Sequence, residues 1–96
     1  MHIARVMGTA VSTVKDDRLE GSKLLIICDA DQTGKIVGKP YIALDRAGAG
    51  EGELVLIVTG SSARVAAGDV NTPVDATVVG ILDSLRHDGK LTYRKS

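Results

Sequence analysis

The amino-acid sequence predicts a small, mainly β domain, a barrel or sandwich of five or six short strands with one short helix. Short runs rich in Val, Ile and Leu alternate with turn signals roughly every ten residues, a spacing typical of small barrels and sandwiches. Only one segment has a convincing helical pattern. The length of 96 residues suits a single domain covering residues 1–96.

The first half of the chain contains three predicted extended segments. Residues 3–15 (IARVMGTAVSTVK) are rich in β-branched side chains, and Gly8 among them predicts a bulge or bend. Residues 23–30 (KLLIICDA) form the second segment, which the turn signal DQTG ends. Residues 35–45 (KIVGKPYIALD) read as extended, with Pro40 breaking the strand or placing it at an edge.

The second half contains the clearest strand and the helix. Residues 53–59 (ELVLIVT) are apolar on both faces, which predicts a strand buried on both sides. Residues 61–67 (SSARVAA) predict a short helix, capped by a serine and ended by Gly68. Residues 76–85 (ATVVGILDSL) read as a strand, although a short helix stays open, and an Asp-Gly turn leads to a final alternating strand at 90–95.

Composition argues against nucleic acid and membrane partners. Twelve basic residues balance twelve acidic ones, whereas neutralising phosphates usually demands a basic excess. Tyr41 and Tyr93 are the only aromatic residues, so a platform for stacking bases is nearly absent. Cys28 is the single cysteine and lies in an apolar run, typical of an inert buried thiol. With no signal peptide and no apolar run of about 20 residues, we expect a cytoplasmic protein.

The glycine-rich stretch DRAGAGEGE has the wrong spacing for a nucleotide site. Gly48, Gly50 and Gly52 follow the pattern G-x-G-x-G and lead into a strand, whereas a dinucleotide fingerprint, G-x-G-x-x-G, opens a helix. Glu51 and Glu53 flank these glycines and would repel phosphate. We therefore predict no bound nucleotide cofactor at this loop.

The motif GSSAR at residues 60–64 does not form a nucleophile elbow. It lacks the second glycine of G-x-S-x-G, and the only histidines, His2 and His87, lie near a chain end and in a turn. A small anion at the start of the predicted helix, assisted by Arg64, stays open. We predict no catalytic residue. Cys28 and the histidines are scattered, so we predict no metal site, and Asp29 and Asp31 read as solvated turn carboxylates.

Six segments in order resemble one protein family. They are GTAVSTVK at 8–15, LEGSKLL at 19–25, DRAGAGEGE at 45–53, GSSAR at 60–64, PVDA at 73–76 and VGILD at 79–83. Together they resemble the EutN/CcmL family of pentameric vertex proteins of bacterial microcompartment shells. Each motif is weak alone, but the set covers nearly the whole chain. Arg46 and Ala47 stand where that family often has small apolar residues.

The resemblance implies a fold, an assembly and a function. It implies an OB-like β-barrel that forms a homopentamer around a narrow pore and caps the vertices of a shell in the cytoplasm. Hexameric and trimeric shell proteins would be its partners, and no cofactor or catalytic residue is implied. The protein would then be architectural and not an enzyme. A nucleic-acid-binding OB domain stays as the alternative, and the type of microcompartment is not indicated.

The resemblance also predicts which residues lie at subunit contacts or at the pore. We expect this of two loops rich in small residues, where backbones can approach closely. For Arg64 and Glu53 the hypothesis is an intersubunit ion pair, with a solvated surface pair as its alternative. For the glycines, ordinary turns that need positive φ are the alternative. The predicted interface residues are Gly48, Gly50, Glu51, Gly52, Glu53, Gly60, Ser61, Ser62, Ala63 and Arg64.

Overall fold

The computed structural model describes residues 1–13, 15–19 and 21–96 as a closed barrel, one helix and a separate hairpin. The elements are β1 (His2–Ala10), β2 (Leu24–Asp29), β3 (Tyr41–Asp45), β4 (Leu54–Thr59), α1 (Ser61–Ala67), β5 (Ala76–Ile81), β6 (Ser84–His87) and β7 (Lys90–Arg94). In the barrel, strands follow the order β1-β2-β3-β5-β4, and β4 closes it against β1. All neighbouring pairs are antiparallel except β3 with β5. The predicted OB-like barrel is therefore confirmed.

The barrel interior is filled by aliphatic side chains. Alternate residues of a strand face one side, so each strand contributes every second residue. β4 shows this with Val55 and Ile57 in the core, while Leu54 on its other face is also fully buried. This fits the strand that the sequence predicts to be buried on both sides. The other core residues are Ala4, Val6, Leu25, Ile27, Ala43, Ala49, Ala76 and Val78.

Two of the extended segments are shorter than the sequence predicts. β1 ends at Ala10, opposite the first residue of β2, and Val11 beyond it is 98% exposed. Val14, also included in that prediction, lies outside the described residues. In the segment 35–45 only Tyr41–Asp45 forms a strand, because Pro40 has no N–H to donate to a ladder. The bulge predicted at Gly8 is confirmed by a register shift beside it.

The strand predicted over residues 76–85 is two strands. β5 ends at Ile81 and β6 begins at Ser84, so the described residues form seven strands, five of which make the predicted barrel. Among the described residues, β6 and β7 pair only with each other, as a two-stranded sheet outside the barrel. Asp88 (φ 52°) and Gly89 (φ 73°) connect them, the paired positive φ angles of a type I′ turn. We call residues 84–96 the C-terminal arm.

Candidate functional site

Asp45 organises the first predicted interface loop. Its side chain is 2% exposed. One carboxylate oxygen accepts N–H groups of Ala47 (2.9 Å) and Gly48 (3.1 Å), and the other accepts the N–H of Ala49 (3.0 Å). The Lys23 ammonium lies 3.7 Å from this carboxylate and donates to the Ala49 carbonyl at 2.9 Å. One buried charge thus holds the loop backbone in a single conformation.

The three glycines of this loop have different reasons for being glycine. Gly48 (φ 74°) and Gly52 (φ 89°) adopt the left-handed region, where a side chain is strained. Gly50 does not, but a Cβ there would lie 3.3 Å from a carboxylate oxygen of Glu53. The positive φ angles of an ordinary turn thus explain why glycine stands at positions 48 and 52. Contact of these glycines with a neighbouring subunit stays a prediction.

Glu53 has partners for both carboxylate oxygens within its own chain. One accepts the N–H of Gly50 at 2.6 Å, and the other lies 2.6 Å from Nζ of Lys95. The Lys95 ammonium, followed by that N–H, lowers the pKa of Glu53, and Glu53 in turn raises the pKa of Lys95. An intersubunit pair between Glu53 and Arg64 would have to share this carboxylate with Lys95. That pair stays a prediction.

The second predicted loop opens helix α1. Gly60 occupies the N-cap position with φ 63°, and no side chain caps the helix. The prediction of a capping serine is therefore wrong, because the left-handed backbone at this position favours glycine and glycine has no side-chain oxygen. Ser61 and Ser62 are exposed instead, whereas Ala63 is fully buried and its carbonyl accepts the Thr77 hydroxyl at 2.8 Å.

The two predicted loops lie at opposite ends of β4. Residues 48–53 precede this six-residue strand and residues 60–64 follow it, so about 20 Å separates them at ~3.3 Å per residue. They therefore form two surfaces and not one site.

The end of α1 is predicted correctly, since the N–H of Gly68 (φ 107°) donates to the Val65 carbonyl.

Arg5 is a central residue that the sequence analysis missed. Its guanidinium donates to the Gly34 carbonyl at 2.7 and 3.1 Å and to the Gly52 carbonyl at 2.7 Å. It also lies over the ring of Tyr93, 5.9 Å from the centroid. Arg5 thus joins β1, two turns and the arm. Its polar character in the middle of a strand is the only signal that the sequence offers.

An apolar groove of about 190 Å³ opens beside the short β3–β5 pairing. It is lined by Leu24, Ile42, Pro73 and Val74 among others, and Ile42 is 45% exposed.

The described ranges 1–13, 15–19 and 21–96 bring no three His, Cys, Asp or Glu side chains together as metal ligands. No helix in the same ranges has the length and hydrophobicity that crossing a membrane requires.

Comparisons with known proteins place this arrangement among shell proteins. Residues 1–83 match the family model described as ethanolamine utilisation protein EutN/carboxysome. The carboxysome shell vertex protein CcmL of Nostoc sp. (strain PCC 7120) is 46% identical over 96 residues, covering 99% of this chain and 95% of CcmL. A solved structure of the ethanolamine utilization protein EutN superposes with a TM-score of 0.92 at 41% identity, covering 100% of both chains. The pentameric microcompartment shell protein GrpN of Rhodospirillum rubrum has a TM-score of 0.81 at 38% identity, covering 91% of this chain and 99% of GrpN.

Proposed function

This chain belongs to the EutN/CcmL family, and from that premise we propose that it is a structural shell protein whose homopentamers cap the vertices of a bacterial microcompartment. The observation that carries the proposal is likeness over the whole chain to vertex proteins, one of them described as pentameric. A flat sheet of hexameric proteins cannot close into a shell without fivefold points. A pentamer of this small barrel supplies such a point.

The relatives and the side-chain contacts of the glycine-rich loop support an architectural role. The relatives are shell vertex proteins, which implies a structural protein rather than an enzyme. Two acidic residues of the stretch DRAGAGEGE serve the fold, since Asp45 holds a loop and Glu53 pairs with Lys95. We propose hexameric and trimeric shell proteins as the partners that surround the pentamer.

The nucleic-acid alternative rests on the OB-like barrel alone. Tyr41 and Tyr93 are the only aromatic rings of the chain. The Tyr41 hydroxyl donates to Asp29 at 2.6 Å, and the ring of Tyr93 lies under Arg5. Tyr41 packs against the core with part of its ring, and Arg5 covers one face of Tyr93, so the chain offers little aromatic surface to a base.

Two measurements test the proposal. Native mass spectrometry of the purified chain should show five subunits, and a monomer or dimer as the only species would refute it. Expression of a hexameric facet protein with this chain should produce closed polyhedral shells in electron micrographs. The same facet protein without the chain should produce open sheets or tubes. Equal closure in both cultures would contradict a vertex role.

A further inference from the structure

The apolar groove beside β3 lies on the outer surface of the barrel, and we call it the β3 groove. Leu24 on β2 and Leu44 on β3 are paired residues that both line it, and Ile42 follows on the same face of β3. Ile42 is 45% exposed, and Pro73 and Val74 line the groove from the loop before β5. Its volume of about 190 Å³ is below the ~300–1,000 Å³ typical of small-molecule sites. The groove therefore suits one or two aliphatic side chains of a polypeptide.

One side of the β3 groove is an open strand edge. The N–H of Asp45 donates to the Lys23 carbonyl, so the odd-numbered residues of β3 direct their backbone groups towards β2. The even-numbered residues Ile42 and Leu44 therefore direct theirs towards β5. The β3–β5 pairing begins only at Leu44, which leaves the backbone of Ile42 outside that ladder. An open edge of this kind accepts an additional strand through main-chain hydrogen bonds.

The rim of the β3 groove is acidic. Within the described part of the chain, no ion pair neutralises three aspartates at this rim, Asp17, Asp69 and Asp75. Asp75 is exposed and lines the groove itself. The other two lie near Arg18, the neighbour in sequence of the groove residue Leu19, since both raise the pKa of Arg18 after the larger effect of its hydrogen bond to Asp16. This rim favours a basic partner and disfavours phosphate groups.

We propose that the β3 groove binds an extended segment of a partner protein that carries aliphatic side chains next to lysine or arginine. The segment adds to the edge of β3 at Ile42 and inserts an aliphatic side chain between Ile42 and Val74. Its basic residues then lie against Asp69 and Asp75. Main-chain hydrogen bonds and aliphatic burial supply affinity, and the aspartates select against acidic segments. This binding goes beyond the proposed function and does not depend on a ring of five copies.

Two synthetic peptides test the binding on the assembled protein. The basic probe, Gly-Lys-Ile-Thr-Val-Lys-Gly, places two aliphatic side chains on one face of a strand between two lysines, and the acidic control replaces both lysines with glutamate. At low salt, fluorescence anisotropy of labelled peptides should show that the basic probe binds about tenfold or more tightly than the acidic control. High salt should reduce this difference. Equal binding of both peptides, or binding of neither at millimolar concentration, would overturn the inference.

A substitution inside the groove locates the site. Ile42→Lys places a positive charge in the groove and should weaken binding of the basic probe about tenfold or more. The matched control is Val79→Lys on β5, because Val79 is 37% exposed and lies outside the groove lining. The control should bind the probe like wild type, and circular dichroism checks that both variants fold. If Ile42→Lys binds the probe as tightly as wild type does, the groove is not the site.

Removal of rim charge tests the choice of a basic segment. Asp69→Asn with Asp75→Asn should weaken binding of the basic probe roughly 2- to 30-fold at low salt, since two exposed charge contacts are lost. Asp83→Asn with Asp88→Asn removes the same charge at exposed residues outside the groove and should leave binding unchanged. Equal effects of the two double variants would show that only the net charge of the protein attracts the peptide.

Hydrogen exchange shows whether the peptide adds as a strand. The amide of Ile42 should exchange more slowly with the basic probe bound, because it then donates to the peptide backbone. Unchanged exchange at residues 41–43 in a saturated complex would overturn the addition of a strand.

Native mass spectrometry separates this inference from the proposed function. If wild type forms a pentamer and Ile42→Lys does not, a neighbouring copy occupies the groove and the inference is wrong. If wild type binds the basic probe but never forms a pentamer, the proposed function is refuted and the peptide site stands.

Discussion

The carboxylate of Glu53 lies 2.6 Å from Nζ of Lys95, an ion pair that joins the beginning of β4 to the end of the C-terminal arm. Its other oxygen accepts the N–H of Gly50 at 2.6 Å. A residue of the glycine-rich loop thus fixes both that loop and the base of the arm. The pair is one of several contacts that attach the arm to the barrel, together with the hydrogen bond from Thr92 to the Gln32 carbonyl.

We predict that Glu53→Gln lowers Tm slightly at neutral pH and not at acidic pH. The pKa of Glu53 is lowered by the Lys95 ammonium and the Gly50 N–H, so the ion pair stabilises the fold above the ordinary value of 4.5. That contribution is lost as the pH falls through the lowered pKa. Thermal melts of wild type and variant from pH 7 to pH 3 should therefore converge. A Tm difference that persists at the acidic end would contradict the assignment.

We predict that Asp45→Asn destabilises the protein by about 2–4 kcal/mol, because an uncharged side chain cannot satisfy all three N–H groups that Asp45 now accepts. The amide NH₂ would face at least one of these donors. Urea denaturation at equal protein concentration measures the loss. Asp75→Asn is the matched control, since Asp75 is exposed and a change there should stay within about 0.5 kcal/mol. Equal effects of both substitutions would show that the Asp45 bonds contribute little.

The role of Asp45 illustrates how far sequence alone leads. The run ELVLIVT and the segment SSARVAA followed by Gly68 are local patterns, and β4 and α1 follow them closely. Asp45 could not be assigned from its neighbours, because its importance depends on burial and on Lys23, 22 residues earlier in the chain. Arg5 was missed for the same reason, since its partners are turns that come close only in the closed barrel.

The predicted serine cap at the start of α1 is wrong for a different reason. Serine is a common N-cap, and GSSAR offers two of them, so local propensity favours a serine cap. The structure instead begins α1 after Gly60, whose N–H donates to the Asp75 carbonyl at 3.1 Å. This contact comes from the loop before β5 and sets the backbone of Gly60. A tertiary contact therefore overrides the local preference.

We predict that Gly34→Ala destabilises the protein more than Gly21→Ala. Both glycines have positive φ, 85° and 78°, so alanine is strained at either by about 1–2 kcal/mol. A Cβ at Gly21 would meet nothing within 4 Å, whereas one at Gly34 would lie 2.6 Å from the guanidinium of Arg5. Alanine at 34 must therefore displace Arg5 and disturb the base of the arm. Urea denaturation at a fixed concentration compares the two, and equal losses would contradict the importance of this contact.

We predict that Gly50→Val impairs pentamer formation more than it impairs folding. The Cβ would lie 3.3 Å from the Glu53 carboxylate, and valine adds two methyl groups to a loop that we expect to lie between subunits. Since the φ of Gly50 is not positive, no left-handed strain is involved, and Gly50→Ala is a graded control with the smaller side chain. Overpacking of 1–3 kcal/mol at the interface corresponds to an increase of roughly 5- to 150-fold in the concentration at which the pentamer dissociates. Native mass spectrometry over a dilution series measures this, with circular dichroism to check the fold. A Gly50→Val chain with unchanged assembly and unchanged Tm would refute close packing at this position.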